Sequence, residues 1–292
     1  MNAPDPPEGP LDLYAQGRLA LPLAAMRAVL ESPDRDALAR DLTRAEARWG
    51  EAALAPLRAR LDASGERLRA VAGLLDHSDR AGAPDAVFAR LAEGFNRAAA
   101  VAPDAGVAFY TLGDPDLLAQ ATGEVMAWLR SEGLLRPGLA VLEVGCGPGR
   151  FLRAFAEEAT LALGVEISAG MAAEAARRLA DRPNVAVVRG SGSDLGFLAS
   201  GAFDLVLYAD SFPYIVQAGG EAPLTMLRET ARVLRPGGAV AVLNWSYRGD
   251  PALDARERGE LAQAAGLRER PCAEPVFSGW DARASVLARR RA

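Results

Sequence analysis

The chain has 292 residues, half of them hydrophobic, enough to bury a real core as one large domain with a smaller one. Its formal charge of −5 is spread evenly along the sequence, so no basic face for nucleic acid is implied. It has no lysine and one histidine, His77, which excludes Schiff-base catalysis, the lysine of a Walker loop and zinc sites built on several histidines.

Residues 1–10, MNAPDPPEGP, carry four prolines with Asp5 and Glu8, and read as a disordered tail without the basic and apolar regions of a signal peptide. No apolar run reaches the length of a membrane span. Cys146 and Cys272 are too few for a disulfide framework or a multi-cysteine metal site, so a reducing cytoplasm is the expected compartment and no metal is expected.

Residues 11–112 alternate Ala, Leu and Arg at helical spacing and lack strand signals, which predicts four or five helices serving as a lid or a dimerisation segment. Ser32-Pro33 reads as a cap with proline at the first helical position, opening a helix to Trp49. Glu51 to Leu75 reads as helical with a break near Ser64-Gly65, Pro84 to Ala100 as another helix, and Asp114-Pro115 opens one to about Ser131.

From Leu139 the pattern changes. AVLEV, ALGVEI, NVAVVRG, FDLVLYAD and GGAVAVLNW alternate with helical stretches, which predicts a parallel sheet with helices on both faces. Arg235-Pro236-Gly237-Gly238 reads as a sharp turn into the fifth strand. A helix follows near Leu253–Ala265, then LRERPC and ASVLARR pair as a hairpin around Phe277-Ser278-Gly279-Trp280. The first strand ends in VLEVGCGPGRF, three glycines in five positions before a helix, where main-chain amides can approach a ligand closely.

The spacing is G-x-G-x-G with Arg150 in the sixth place, which counts against a dinucleotide fingerprint because that position needs a glycine for close helix packing. Glu143-Val144-Gly145-Cys146-Gly147-Pro148-Gly149 instead resembles the first motif of class I S-adenosylmethionine-dependent methyltransferases. Glu166 ends the second strand 21 residues after Gly145, Ser193-Asp194-Leu195 follows the third, and FDLVLYAD and LRPGGAVAVLNW resemble the family's fourth-strand and fifth-strand motifs. The likeness covers about residues 113–290.

This resemblance implies a Rossmann-like, doubly wound seven-stranded sheet of order 3-2-1-4-5-7-6 in residues 113–292, and S-adenosylmethionine as cofactor, with S-adenosylhomocysteine as its product. It implies that Glu143 holds the cofactor's ammonium, Glu166 the ribose hydroxyls and Asp194 the adenine amino group. Gly145, Cys146, Gly147, Gly149, Ile167, Ser193, Leu195 and Tyr208 complete the implied cofactor set. Read as residues alone, Glu143 is equally a strand-end carboxylate, Ser193-Asp194 a turn or helix cap, and Cys146 a small filler.

Methyl transfer from a sulfonium is an in-line displacement that needs alignment and exclusion of water, with a base only where the acceptor loses a proton. Asp210-Ser211-Phe212-Pro213-Tyr214 leaves the fourth strand where the acceptor would stand. It resembles the Asn/Asp-Pro-Pro-Tyr loop of amino-group methyltransferases but departs from it at Ser211 and Phe212. Asp210 and Tyr214 are the candidate catalytic residues, together with His77, which is otherwise a solvated partner for a helix end. Tyr14 and Tyr110 are candidate lid contacts, and Trp245-Ser246-Tyr247 a candidate rim. The expected acceptor is a small molecule at oxygen, nitrogen or carbon, with neither nucleic acid nor membrane as partner. A homodimer through the helical segment is a further expected partner. The alternatives are a non-catalytic S-adenosylmethionine-binding protein whose helical segment serves protein contacts, and a nicotinamide-dependent oxidoreductase.

Overall fold

The computed structural model describes residues 8–74, 82–275 and 277–290. Among them the stretch before the sheet is helical throughout: α1 (Pro10–Ala15), α2 (Leu21–Glu31), α3 (Arg35–Trp49), α4 (Glu51–Ala72), α5 (Pro84–Val101), α6 (Pro103–Val107), a 3-10 turn at Phe109–Thr111 and α7 (Pro115–Ser131). Two compact units divide the chain. One comprises Met1–Gly73, Asp104–Ala121 and Phe277–Asp281; the other comprises Leu74–Pro103, Thr122–Val276 and Ala282–Ala292.

In the first unit, α3 begins later than Ser32-Pro33 suggests. The Asp34 carboxylate accepts the Ala37 amide at 2.7 Å and caps the helix, while Ser32 closes α2 and its carbonyl accepts from Arg69. α4 runs unbroken through Ser64-Gly65, because Leu54, Leu57, Leu61 and Leu68 recur on one face and are buried in the unit's core. That stripe outweighs the local cost of Pro56 and Gly65. The segment 277–281 joins this unit through Trp280, which stacks on Tyr110 at 5.0 Å, and through an Arg27–Asp281 ion pair.

The second unit is built on β1 (Ala140–Val144), β2 (Leu161–Glu166), β3 (Val185–Arg189), β4 (Phe203–Ala209), β5 (Leu234–Leu243), β6 (Leu267–Arg270) and β7 (Ala284–Arg289). Their order is β3-β2-β1-β4-β5-β7-β6, as the resemblance implies. The first five strands are parallel, and β7 runs antiparallel to β5 and β6. Helices α8 (Arg150–Phe155), α9 (Ala169–Arg178), α10 (Phe212–Ala218), α11 (Ala222–Val233) and α12 (Pro251–Ala264) complete the unit with α5.

Every residue of β1 is buried, as expected for a central parallel strand covered on both faces. Arg235-Pro236-Gly237-Gly238 lies within β5 as a bulge: Leu234 faces Phe203 and the next paired residue, Ala239, faces Leu205. α10 stands where the resemblance suggests a loop. Among the described residues, no helix is long and apolar enough to cross a membrane. The order of the strands reverses between β1 and β4, which places the ligand crevice of such a sheet at their carboxyl ends.

Gly164 of β2 marks how tightly α8 and the glycine turn are seated. A Cβ there would stand 2.5 Å from Leu152 Cδ1 and 2.6 Å from Cys146 Sγ. Gly164→Ala is therefore expected to destabilise the fold by about 2 kcal/mol, read as a lower urea midpoint at unchanged slope.

Candidate active site

The turn after β1 is stitched to β2 by main-chain bonds. Val165 O accepts from Gly145 N at 2.7 Å and from Cys146 N at 3.2 Å, and Gly149 N donates to Cys146 O at 3.0 Å. Gly145, Gly147 and Gly149 all hold positive φ, at 76°, 52° and 87°, a region that favours glycine. Two of the three are also demanded by the protein's own packing rather than by a ligand. A Cβ on Gly145 would collide with Ser211 of the loop after β4, and one on Gly149 would stand 2.7 Å from Leu179 Cδ1 beside α9. Ser211 further locks this crossing by donating its hydroxyl to Val144 O.

Two carboxylates flank the turn. Glu166 is 5 % exposed, and its two oxygens accept from Gly147 N and Ser168 N, each at 2.8 Å. Burial raises its pKa, and these main-chain donors oppose the rise. Glu143 is 2 % exposed, and its Oε2 has no hydrogen-bond partner. Burial holds its carboxyl well above the usual glutamate range; Arg150 draws it down, and the Glu166 charge adds to the rise. A buried, incompletely bonded carboxylate is costly unless a cation or donor completes it.

On the β3 side, Ile167 and Phe88 of α5 close on Gly192, leaving no room for a side chain there. Ser193 lies in this loop, its amide donating to Ser191 Oγ. Asp194 is exposed, and its Oδ1 accepts from Gly196 N at 2.7 Å, the turn geometry its sequence allows. Leu195 places its side chain in the core and its carbonyl on Arg232, at 2.8 Å. Cys146 is buried against Gly164, and burial pushes its thiol up, so its side chain is a filler rather than a nucleophile.

Tyr208 requires a correction. Its side chain is fully buried, its hydroxyl is bonded to Thr230 of α11 at 2.6 Å, and its ring meets Phe212 edge-on, so it is a core residue and not a pocket wall. The alternation of side chains along β4 turns it to the face that α10 and α11 cover.

On the β4 side, Asp210 and Asn244 are both non-glycine residues at positive φ, 56° and 64°, just past the ends of β4 and β5. Asn244 Nδ2 donates to Asp210 Oδ1 at 2.7 Å, while Asn244 Oδ1 accepts from Arg283 N at 3.0 Å. Asx side chains tolerate this backbone region, and such outliers gather at functional sites. Tyr247 donates its hydroxyl to Asp210 O at 3.3 Å. Tyr214 meets Tyr247 edge-on at 5.8 Å and Phe95 of α5 at 5.3 Å. Burial and the Asp210 charge push the Tyr214 phenol up, so it stays protonated at neutral pH.

The structure thus gathers Glu143, Glu166, Asp210 and Tyr214 at the carboxyl ends of β1, β2 and β4. Tyr14 and Tyr110 belong to the first unit. His77 lies outside the described residues. Two residues the sequence does not single out bond beside these groups: Asn244 to Asp210, and Asn96 of α5, whose Oδ1 accepts from Ser168 Oγ and Gly170 N after β2. The one signal for Asn96 is an amide in the Ala-rich helix α5, a residue type that such a helix disfavours. Among the described residues, no three His, Cys, Asp or Glu side chains are grouped to hold a metal.

Residues 142–242 match the family model described as a methyltransferase domain. An uncharacterized methyltransferase of Mycolicibacterium gilvum is 36% identical over 119 residues, covering 41% of this chain and 44% of the relative. A demethylmenaquinone methyltransferase of Parafrankia sp. is 36% identical over 129 residues, covering 38% and 48% respectively. The chain spans about half the length of the curated relatives it matches. Among solved structures, phosphoethanolamine N-methyltransferase 1 of Haemonchus contortus superposes with a TM-score of 0.54 at 13% identity, covering 72% of this chain and 49% of that one. The putative methyltransferase in complex with the Haloferax volcanii Trm112 activator superposes at 0.50 with 19% identity, covering 68% and 98%. These two likenesses concern the fold.

The two buried carboxylates set a pH dependence. Both folded pKa values are raised above the ordinary 4.5, so the folded protein holds more protons than the unfolded chain from that pH until the two groups ionise in the fold. Their contribution to ligand-free stability is therefore expected to fall as the pH rises above 4.5. Glu143→Gln should flatten that decline and raise the melting temperature at the alkaline end, as thermal unfolding across the pH series will show.

Proposed function

We propose that this chain, whose residues 142–242 match a methyltransferase-domain model and whose strands follow the order β3-β2-β1-β4-β5-β7-β6, transfers a methyl group from S-adenosylmethionine to a small-molecule acceptor. The observation that carries the reading is Glu143: a buried carboxylate with an unpartnered oxygen, beside a glycine turn at the end of the central strand. A ligand bearing an ammonium and a sulfonium fits that need, because a cation restores what burial removes from the carboxylate. Glu166 fits the sugar on different grounds. Its two main-chain bonds fix the plane of the carboxylate, and an ionised carboxylate has about four acceptor sites, leaving capacity for two hydroxyls.

When bound, the cofactor supplies a methyl group already activated by the positive charge on sulfur. The chain's own residues then bind, align and dehydrate. Asp210 is held in one orientation by Asn244 and takes the proton of an acceptor that must lose one. Tyr214, Tyr247 and Phe95 pack edge-on beside it as an aromatic flank for the acceptor. The even charge along the chain, and relatives named demethylmenaquinone methyltransferases, support a small acceptor over a nucleic acid.

Isothermal titration is expected to show binding of S-adenosylmethionine and S-adenosylhomocysteine and none of NADH. Tight NADH binding without either of the others would overturn the assignment. Glu166→Ala should weaken S-adenosylhomocysteine by about 2 kcal/mol, roughly thirtyfold, through loss of charge-assisted bonds. With phenols, amines and carbon acids as acceptors, mass spectrometry should detect a methylated product from one class. Asp210→Asn should slow its formation by about 100-fold at unchanged cofactor affinity; an unaltered rate removes Asp210 as the base.

A further inference from the structure

Helix α5 belongs to the same compact unit as the sheet and meets the loops at the carboxyl ends of three parallel strands. Phe88 packs on Gly192 after β3, Phe95 on Tyr214 after β4, and Asn96 bonds to the loop after β2. The Asn96 contact is polar and specific. Its Oδ1 accepts the hydroxyl of Ser168 at 2.8 Å and the main-chain N–H of Gly170 at 2.9 Å. The Gly170 amide can only donate, which settles that the side-chain oxygen faces it.

Ser168 passes the constraint on. It is fully buried, its Oγ accepts from Met171 N at 3.1 Å to cap α9, and its own N–H donates to Glu166 Oε1 at 2.8 Å. Two hydrogen bonds in series therefore connect α5 to the carboxylate read above as the ribose ligand. Removing the Asn96 oxygen would leave the Ser168 hydroxyl and the Gly170 amide without their acceptor. The cap would loosen, and with it the amide that orients Glu166.

We propose that Asn96 is a positioning residue for the cofactor site: it couples the seating of α5 to the orientation of Glu166, making α5 a cover whose docking strengthens cofactor binding. The inference rests on the assignment of Glu166 to the cofactor. Both partners of Asn96 donate, so an acceptor is all the position requires. Aspartate supplies one, at a helix N-terminus where negative charge is favoured. Leucine keeps the shape and lacks the oxygen.

The test uses the full chain with Asn96→Leu and Asn96→Asp, each alone and with Glu166→Gln. S-adenosylhomocysteine affinity is read by calorimetry, and ligand-free hydrogen exchange is read at the Ser168–Met171 amides. Asn96→Leu is expected to weaken binding about tenfold and to lose protection at Gly170, while Asn96→Asp stays within about twofold of wild type. In the Glu166→Gln background the leucine substitution should cost less than about threefold, because the group it orients is already compromised. Wild-type affinity in Asn96→Leu with only a lower melting temperature, or an equal loss in both backgrounds, would overturn the proposal. Should the wild-type chain bind no S-adenosylhomocysteine, the assigned function falls. The clasp is then judged by exchange: protection lost with leucine and kept with aspartate sustains it, and unchanged protection overturns it.

Discussion

The site depends on one buried carboxylate bridging two turns. Glu166 receives an amide from the glycine turn after β1 and another from the cap of α9, tying two adjacent loops through a single side chain. Both donors are main-chain groups that would otherwise lack an acceptor at the end of a strand or the start of a helix. The bridge fixes the shape of the crevice before any ligand arrives, which is the condition for a pre-organised site.

Around that bridge the protein concentrates features that stability alone would not select. Glu143 is buried with an oxygen unbonded, Asp210 and Asn244 occupy a backbone region that non-glycine residues adopt sparingly, and the Glu166 charge adds to the raised proton affinity of Glu143. These costs lie along the carboxyl ends of β1, β2, β4 and β5, where the strand order places the crevice. The opposing stabilisation comes from the sheet core, where β1 and the inner part of β5 are buried throughout. The rigid layer and the strained rim are two ends of the same strands.

Much of the sheet was legible in the sequence because each strand is an apolar run bounded by a turn, and its order followed from the likeness of motifs in sequence. What was not legible had nonlocal causes. The start of α3 is set by the reach of Asp34, and the continuity of α4 by a leucine stripe that overrides a proline and a glycine. Tyr208 reads as a pocket residue until its hydroxyl is found on Thr230, a helix away. The glycines announced close approach correctly, but for Gly145 and Gly149 the approaching atoms belong to Ser211 and Leu179. Asn96 and Asn244 carry no motif, since their partners come from distant parts of the chain.

The ribbon order has a bearing on synthesis. β7 is made after β6 yet lies between it and β5, and the loop joining β6 to β7 delivers Trp280 to the stack on Tyr110. As the nascent chain leaves the ribosome, β5 therefore keeps a bare hydrogen-bonding edge, and the helical unit lacks an aromatic partner, until residues 277–289 emerge. Neither unit closes vectorially from its amino end. A ribosome that stalls in the last helix would hold a polypeptide whose central sheet still offers an open strand to its neighbours.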